Sequence, residues 1–289
     1  MTIPNLTLIG ESINASVPST KILFEAGDLD GIKALARMQD EKGAAYIDVN
    51  VGRHSADFMA EVVREVQSVT TKPLSIDTPD PERAEAGLRA YDSEQAAGGK
   101  PILNSISALR LEMFDLFAIQ PFMPILMVSE RCEGGRSKAN RTVDEVHETA
   151  KELAAAAAAS PAAIAPDELI FDPGIPSVGS DVEGMTRTTL ESIERIHNDP
   201  SLAEAHISVG LSNFTMMLPP KRRDGSPVKS ALESAFLTKA VPLGLDTIIG
   251  SVKRRYKLLP PNRPAMECLE DVLRLSGVDA VKRIVDFYS

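Results

Sequence analysis

Short, nearly continuous apolar runs alternate eight times with segments of helical spacing along the 289-residue chain. That alternation constrains the fold more than any single motif. The strand-like runs are residues 6–14, 46–51, 74–78, 102–107, 122–129, 169–173, 207–214 and 247–252. Helical spacing follows at 28–42, 55–69, 81–90, 110–119, 142–159, 185–197 and 228–241, and 265–275 with 279–288 close the chain. Ile32, Leu35 and Met38 mark one helix face, Gly43 a helix stop, Ser55 an N-cap and Pro81 a first turn. Strands that are apolar throughout belong in a sheet covered on both faces. Alternating units build that sheet parallel, and eight of them predict one (β/α)8 barrel over residues 1–289. An open doubly wound sheet is the alternative. No Gly-x-Gly-x-x-Gly turn follows a strand, which counts against a dinucleotide fold.

Composition narrows the function classes. Thirty-one Lys and Arg against 41 Asp and Glu leave a net charge of −10, unsuited to a nucleic-acid backbone. Cys132 and Cys268 stand far apart with no Cys-x-x-Cys or Cys/His cluster, so no metal site and two reduced thiols are expected. The longest apolar run, 153–159, is an alanine-rich helix and far too short to span a membrane. Residues 1–5 carry no basic region of a signal peptide, so a cytoplasmic location is expected.

The strands end on small polar groups. Asp48 and Asn50 close the second, Asp77 the third, Asn104 with Ser105 the fourth, Asp172 the sixth, and Asn213 the seventh. Such groups are costly to bury unless their hydrogen bonds are filled. In a parallel barrel all these ends share one mouth, where catalysis occurs. A carboxylate such as Asp77 or Asp172 accepts two parallel N–H groups, Asn104 suits a mixed edge, and Asn213 can donate to a ring nitrogen without titrating. Together they fit a flat heterocycle rich in N–H and C=O. Gly210, inside a strand, leaves room for a close approach. The polar loops 131–141 and 219–227, the second with basic Lys221, Arg222 and Arg223, lie at the same mouth. His206 opens its strand at the opposite end, and His54, His147 and His197 fall in helices or loops.

Six segments occur in order: Gly10-Glu11-Ser12-Ile13-Asn14, Asp48-Val49-Asn50-Val51-Gly52, Ile76-Asp77-Thr78, Asn104-Ser105, Phe171-Asp172-Pro173 and Gly210-Leu211-Ser212-Asn213. Together they resemble the pterin-binding methyltransferases that move a methyl group between tetrahydrofolate and a corrinoid. The resemblance spans nearly the whole chain and implies a dihydropteroate-synthase-like barrel, usually a homodimer. It implies a pterin pocket of Asp77, Asn104, Asp172, Gly210, Ser212 and Asn213, supported by Asp48, Asn50 and Ser105. Asn213 would lie near N5, the methyl-bearing nitrogen, as the catalytic donor. Glu11, Ser12 and Asn14 would face the corrinoid. Two positions depart from the pattern: Ser12 replaces a frequent arginine, and Met216 stands where a related member has glutamine. No Asp-x-His-x-x-Gly corrinoid motif is present, so cobalamin is expected from outside, free or on a partner corrinoid protein. Two alternatives stay open. One is a dihydropteroate synthase, although no lysine or arginine between residues 207 and 220 offers it a diphosphate site. The other is a folate-binding subunit without chemistry of its own.

Overall fold

The computed structural model describes residues 3–289. Eight parallel strands close into a barrel: β1 (Thr7–Asn14), β2 (Tyr46–Asn50), β3 (Leu74–Asp77), β4 (Ile102–Ile106), β5 (Met123–Met127), β8 (Ile170–Asp172), β9 (His206–Gly210) and β10 (Thr247–Gly250). They follow chain order around the barrel, and β1 pairs with β10 from Thr7↔Thr247 to Gly10↔Gly250. The two remaining strands, β6 (Glu130–Glu133) and β7 (Arg136–Ala139), form an antiparallel hairpin in the loop after β5.

Period-two alternation builds the interior. Ile9, Ile102, Ile125 and Ile170 are buried together as one apolar layer inside the barrel. Two residues further along the same strands, and so on the same face, stand Glu11, Asn104, Met127 and Asp172. The isoleucine layer is the floor, and the next layer is the polar lining. Register levels the two: Asp48 lies opposite Ser75, Asp77 opposite Asn104, and Met127 opposite Asp172. The other strand faces, among them Ile47, Val49, Leu74, Ile76 and Leu103, join the larger core beneath the helices.

The helices are α1 (Pro18–Ala26), α2 (Leu29–Glu41), α3 (Ala56–Gln67), α4 (Pro81–Ala90), α5 (Val143–Ala159), α6 (Met185–His197), α7 (Lys229–Ala240), α8 (Pro264–Arg274) and α9 (Gly277–Tyr288). Side chains cap several starts. Asp28, Ser55 and Asp80 accept from the peptide N–H three residues on, and Thr142 forms a capping box with Glu145.

Four sequence expectations change. Helix α1 was not anticipated, although Pro18 at its start and left-handed Gly27 at its end are helix signals. Residues 110–119 form a 3-10 helix, Leu111–Ala118, and the loop 131–141 contains the β6–β7 hairpin. The strand expected over 207–214 stops at Gly210, and Leu211–Thr215 turns as a 3-10 helix. Asn213 therefore sits on a turn over the barrel mouth and not on a stave. Among the described residues no helix is long and apolar enough to cross a membrane.

Candidate active site

A cavity of about 790 Å3 opens at the C-terminal ends of the strands, lined in part by Glu11, Asp48, Asp77, Asn104, Asp172 and Asn213. Asn14, Gly210, Ser212 and Met216 also line it. Asn50 stands just behind, where its Nδ2 donates to Asp77 Oδ2 at 2.8 Å. Ser12 and Ser105 are not among its walls. The Ser12 N–H donates to Gln39 Oε1 at 2.8 Å and its carbonyl accepts from Thr20, so its backbone is tied to the helical layer.

The carboxylates differ in what they keep free. Asp172 Oδ1 accepts the Gly174 N–H at 2.7 Å, an Asx turn that fixes the side chain. Burial pushes its carboxyl up to about 6, against that one stabilising hydrogen bond. Asp77 is also pushed up to about 6 by burial, while hydrogen bonds from Asn50 and Asp48 hold it down. Asp48 is fully buried and accepts from Ser75 Oγ at 2.7 Å, and its Oδ2 meets no donor, which leaves a protonated Asp48 to donate to Asp77. Burial first, and then the Asp77 charge, raise Asp48 well above the ordinary carboxylate range. Asp48 is thus the proton-holding member of the pair and Asp77 the member that ionises. Neither the Asn104 nor the Asn213 side chain hydrogen-bonds to the described residues, and Asn213 is exposed. At Gly210 a Cβ would meet Asn213 Nδ2 at 2.8 Å, so the space the glycine leaves is taken by that amide.

The turn carrying Asn213 is held on both sides. Ser212 Oγ donates to Glu11, and Thr215 Oγ1 donates to Glu233 on α7. Arg254, in the loop after β10, pairs with Glu233 and reaches Ser212 Oγ at 3.4 Å. Glu233 is completely buried with Oε2 unpartnered, and burial pushes it up to about 7 despite Arg254. Burial also raises Glu11, opposed by the Ser212 hydrogen bond and the Arg254 charge. Lys229, at the start of α7, lines the cavity and donates to the Met216 carbonyl at 3.1 Å. Burial, then the Arg254 charge, lowers its pKa.

Sequence reading missed Arg254, Lys229 and Glu233. A usable signal was present for Arg254, because Lys253-Arg254-Arg255 follows the eighth strand directly at the catalytic end. Glu233 gave none, being one of the 41 acids of the chain and placed within a helix. Among the described residues no cluster of three or more His, Cys, Asp or Glu could hold a metal ion.

The fold and the site define the class: a closed (β/α)8 barrel whose mouth is lined by acids and amides. The family model for pterin binding enzymes matches residues 13–250, and the chain belongs to that family. The methylcorrinoid:tetrahydrofolate methyltransferase of Eubacterium limosum is 26% identical over 259 residues, covering 84% of each chain. Dihydropteroate synthase of Xanthomonas albilineans, in complex with 7,8-dihydropteroate, superposes with a TM-score of 0.56 at 19% identity, covering 98% of this chain and 92% of that one. The dihydropteroate synthase of Thermus thermophilus, in complex with 6HMPPP, gives 0.55 at 22% identity over 85% and 87%. These two likenesses are of fold.

Proposed function

We propose that this chain moves a methyl group between N5 of tetrahydrofolate and the cobalt of a corrinoid delivered from outside, free or on a partner protein. One observation carries the reading. At the cavity wall Asp172 spends one carboxylate oxygen on the Gly174 N–H and Asp77 is met by Asn50 and Asp48, while the Asn104 and Asn213 side chains make no hydrogen bond among the described residues. The protein has thus left acceptors and donors for a ring with N–H and C=O edges. The name of the Eubacterium limosum relative supports a folate and a corrinoid as the two methyl carriers.

In this reading Asp77, Asn104 and Asp172 hold the pterin, with Asp48 and Asn50 setting the charge and direction of Asp77. Gly210 and Ser212 shape the turn that presents Asn213 to N5. When the methyl leaves N5, the electron pair of the N–C bond stays on nitrogen, which takes up a proton from solvent. The cobalt of the corrinoid supplies the electron pair of the new bond. The reverse direction runs through the same arrangement. A donor to N5 strengthens as charge develops, and that differential stabilisation is what speeds the step. Glu11 and Asn14 border the mouth where the corrinoid would approach, and Met216, more than half exposed, adds an apolar edge there.

A second reading, a dihydropteroate-synthase-like condensation, gains from one observation. Arg254 and Lys229 bring cations to the cavity that the segment 207–220 lacks. Arg254 is already committed to Glu233, which favours the first reading. The deciding experiment incubates the purified chain with methylcobalamin and tetrahydrofolate, and separately methyltetrahydrofolate with Co(I) corrinoid, following corrinoid absorbance. Protein-dependent turnover is expected. No turnover in either direction, with free or protein-bound corrinoid, overturns it, and dihydropteroate made from a pterin diphosphate and p-aminobenzoate installs the alternative.

A further inference from the structure

Beside the pterin cavity lies a second one of about 660 Å3, between the start of α7, the loop after β10 and the start of α8. Its lining holds six cations, Arg222, Lys253, Arg254, Arg255, Lys257 and Arg263, against one carboxylate, Asp224. In a chain of net charge −10 this concentration is unexpected. Arg254 is paired with Glu233, and Arg222 stands 3.6 Å from Asp224 while its Nε donates to the Phe287 carbonyl. For Lys253, Arg255, Lys257 and Arg263 no ion pair is formed among the described residues, although 41 acids are available in the sequence. Like charges gathered without counter-charges repel one another, and an anion relieves that cost. The flanking helix starts agree: Val228 before α7 and Arg263 before α8 give no side-chain cap, and Ser230 and Ala265 from those first turns line the cavity.

The basic cavity adjoins the pterin cavity. Arg254 lines both, and the neighbours Lys229 and Ser230, like Ser251 and Lys253, divide between them. An anion here is therefore within reach of whatever leaves the pterin cavity on that side. We propose that the basic cavity binds the γ-linked oligoglutamate tail of a reduced folate whose ring occupies the pterin cavity. Each further glutamyl residue adds one carboxylate, which an open cavity with several uncommitted cations can take in succession. A compact dianion would engage only part of such a lining. The inference rests on the reduced-folate reading and adds the substrate's tail length as a determinant of affinity.

The test titrates the intact chain with tetrahydrofolate carrying one or five γ-linked glutamates, at low and high salt. The pentaglutamate is expected to bind about tenfold tighter at low salt, the sum of a few exposed ion pairs, and the gain should shrink as salt rises. In Lys257→Glu/Arg263→Glu, both exposed positions, the ratio of the two affinities should fall to near one. Equal affinities in the wild-type chain, or a preference that ignores salt and the double substitution, overturn the tail site while leaving the ring site standing. Failure of both folates to bind overturns the ring reading and the tail site with it. A double variant that keeps its tail preference but loses a corrinoid protein overturns it in favour of a protein partner.

Discussion

Asn213 shows how much one amide can decide. It is exposed, makes no side-chain hydrogen bond among the described residues, and sits between two residues that are tied down, Ser212 and Thr215. Asn213→Ala is expected to lower turnover by about 10²–10³ with a smaller loss of folate affinity, read from kcat beside a calorimetric Kd. Equal losses would make it a binding contact only. Asp77 and Asp172, both pushed up to about 6, give a pH dependence. The ionised form accepts N–H groups and the protonated form surrenders an acceptor, so affinity should be flat above about pH 7 and fall as pH drops through 6. Titrations from pH 5 to 8 check this. The same raised pKa means that ionising Asp172 inside the fold costs stability. That cost is absent below its unfolded pKa and complete above about 6. Asp172→Asn should therefore weaken folate binding yet raise the urea-unfolding free energy at pH 7 by ~1–2 kcal/mol, with no gain near pH 3.5.

At the scale of elements, the strand-to-turn switch at Gly210 sets the site. A methyl at this position would drive into the Asn213 amide, which lies 2.8 Å from the built Cβ. Gly210→Ala should displace that amide and cost up to about 10²-fold in kcat, with thermal stability close to wild type. An unchanged kcat would show that the amide has another acceptable rotamer. Helix α5 carries the barrel back from the β6–β7 hairpin and begins with a reciprocal cap. Thr142 Oγ1 accepts from the Glu145 N–H at 3.2 Å, and Glu145 Oε2 accepts from the Thr142 N–H at 3.2 Å. Thr142→Ala is expected to cost about 1 kcal/mol of stability, measured by urea denaturation, without touching the cavity.

For the whole molecule, the two ends of the barrel are built differently. The C-terminal end gathers buried acids at a cost, and the N-terminal end contains a clasp. There His206 Nδ1 meets Asp246 Oδ2 at 2.6 Å, and Asp246 Oδ1 accepts the Ile207 N–H at 3.1 Å, joining β9 to the start of β10. The Asp246 hydrogen bond raises the His206 pKa, against burial. Its contribution is complete below the unfolded histidine pKa and lost as pH rises through the folded one. The pair is well exposed and screened, so His206→Gln should lower the melting temperature by only about 1–2 °C at pH 6 and leave it unchanged at pH 9. A shift of equal size at both pH values would assign the effect to packing.

Several parts of this protein were legible from residues alone. Asn104 and Asp172 stand two places beyond Ile102 and Ile170, so strand periodicity itself puts them on the face that the floor defines. Their common height was inferable once the strands were taken as parallel and closed. Arg254, Lys229 and Glu233 escaped notice because their positions depend on how three separate segments fold back toward one cavity. No spacing along the chain encodes that distance. Likewise the space beside Gly210 was readable as space, but only packing showed that Asn213 fills it. The alternation of apolar strand runs with helical segments therefore determined the barrel, and the polar residues at the strand ends determined the ring of acids and amides at its mouth, since strand geometry repeats every two residues. Which charges face one another across that mouth was decided by tertiary structure, because Coulomb interactions and desolvation depend on distances through space.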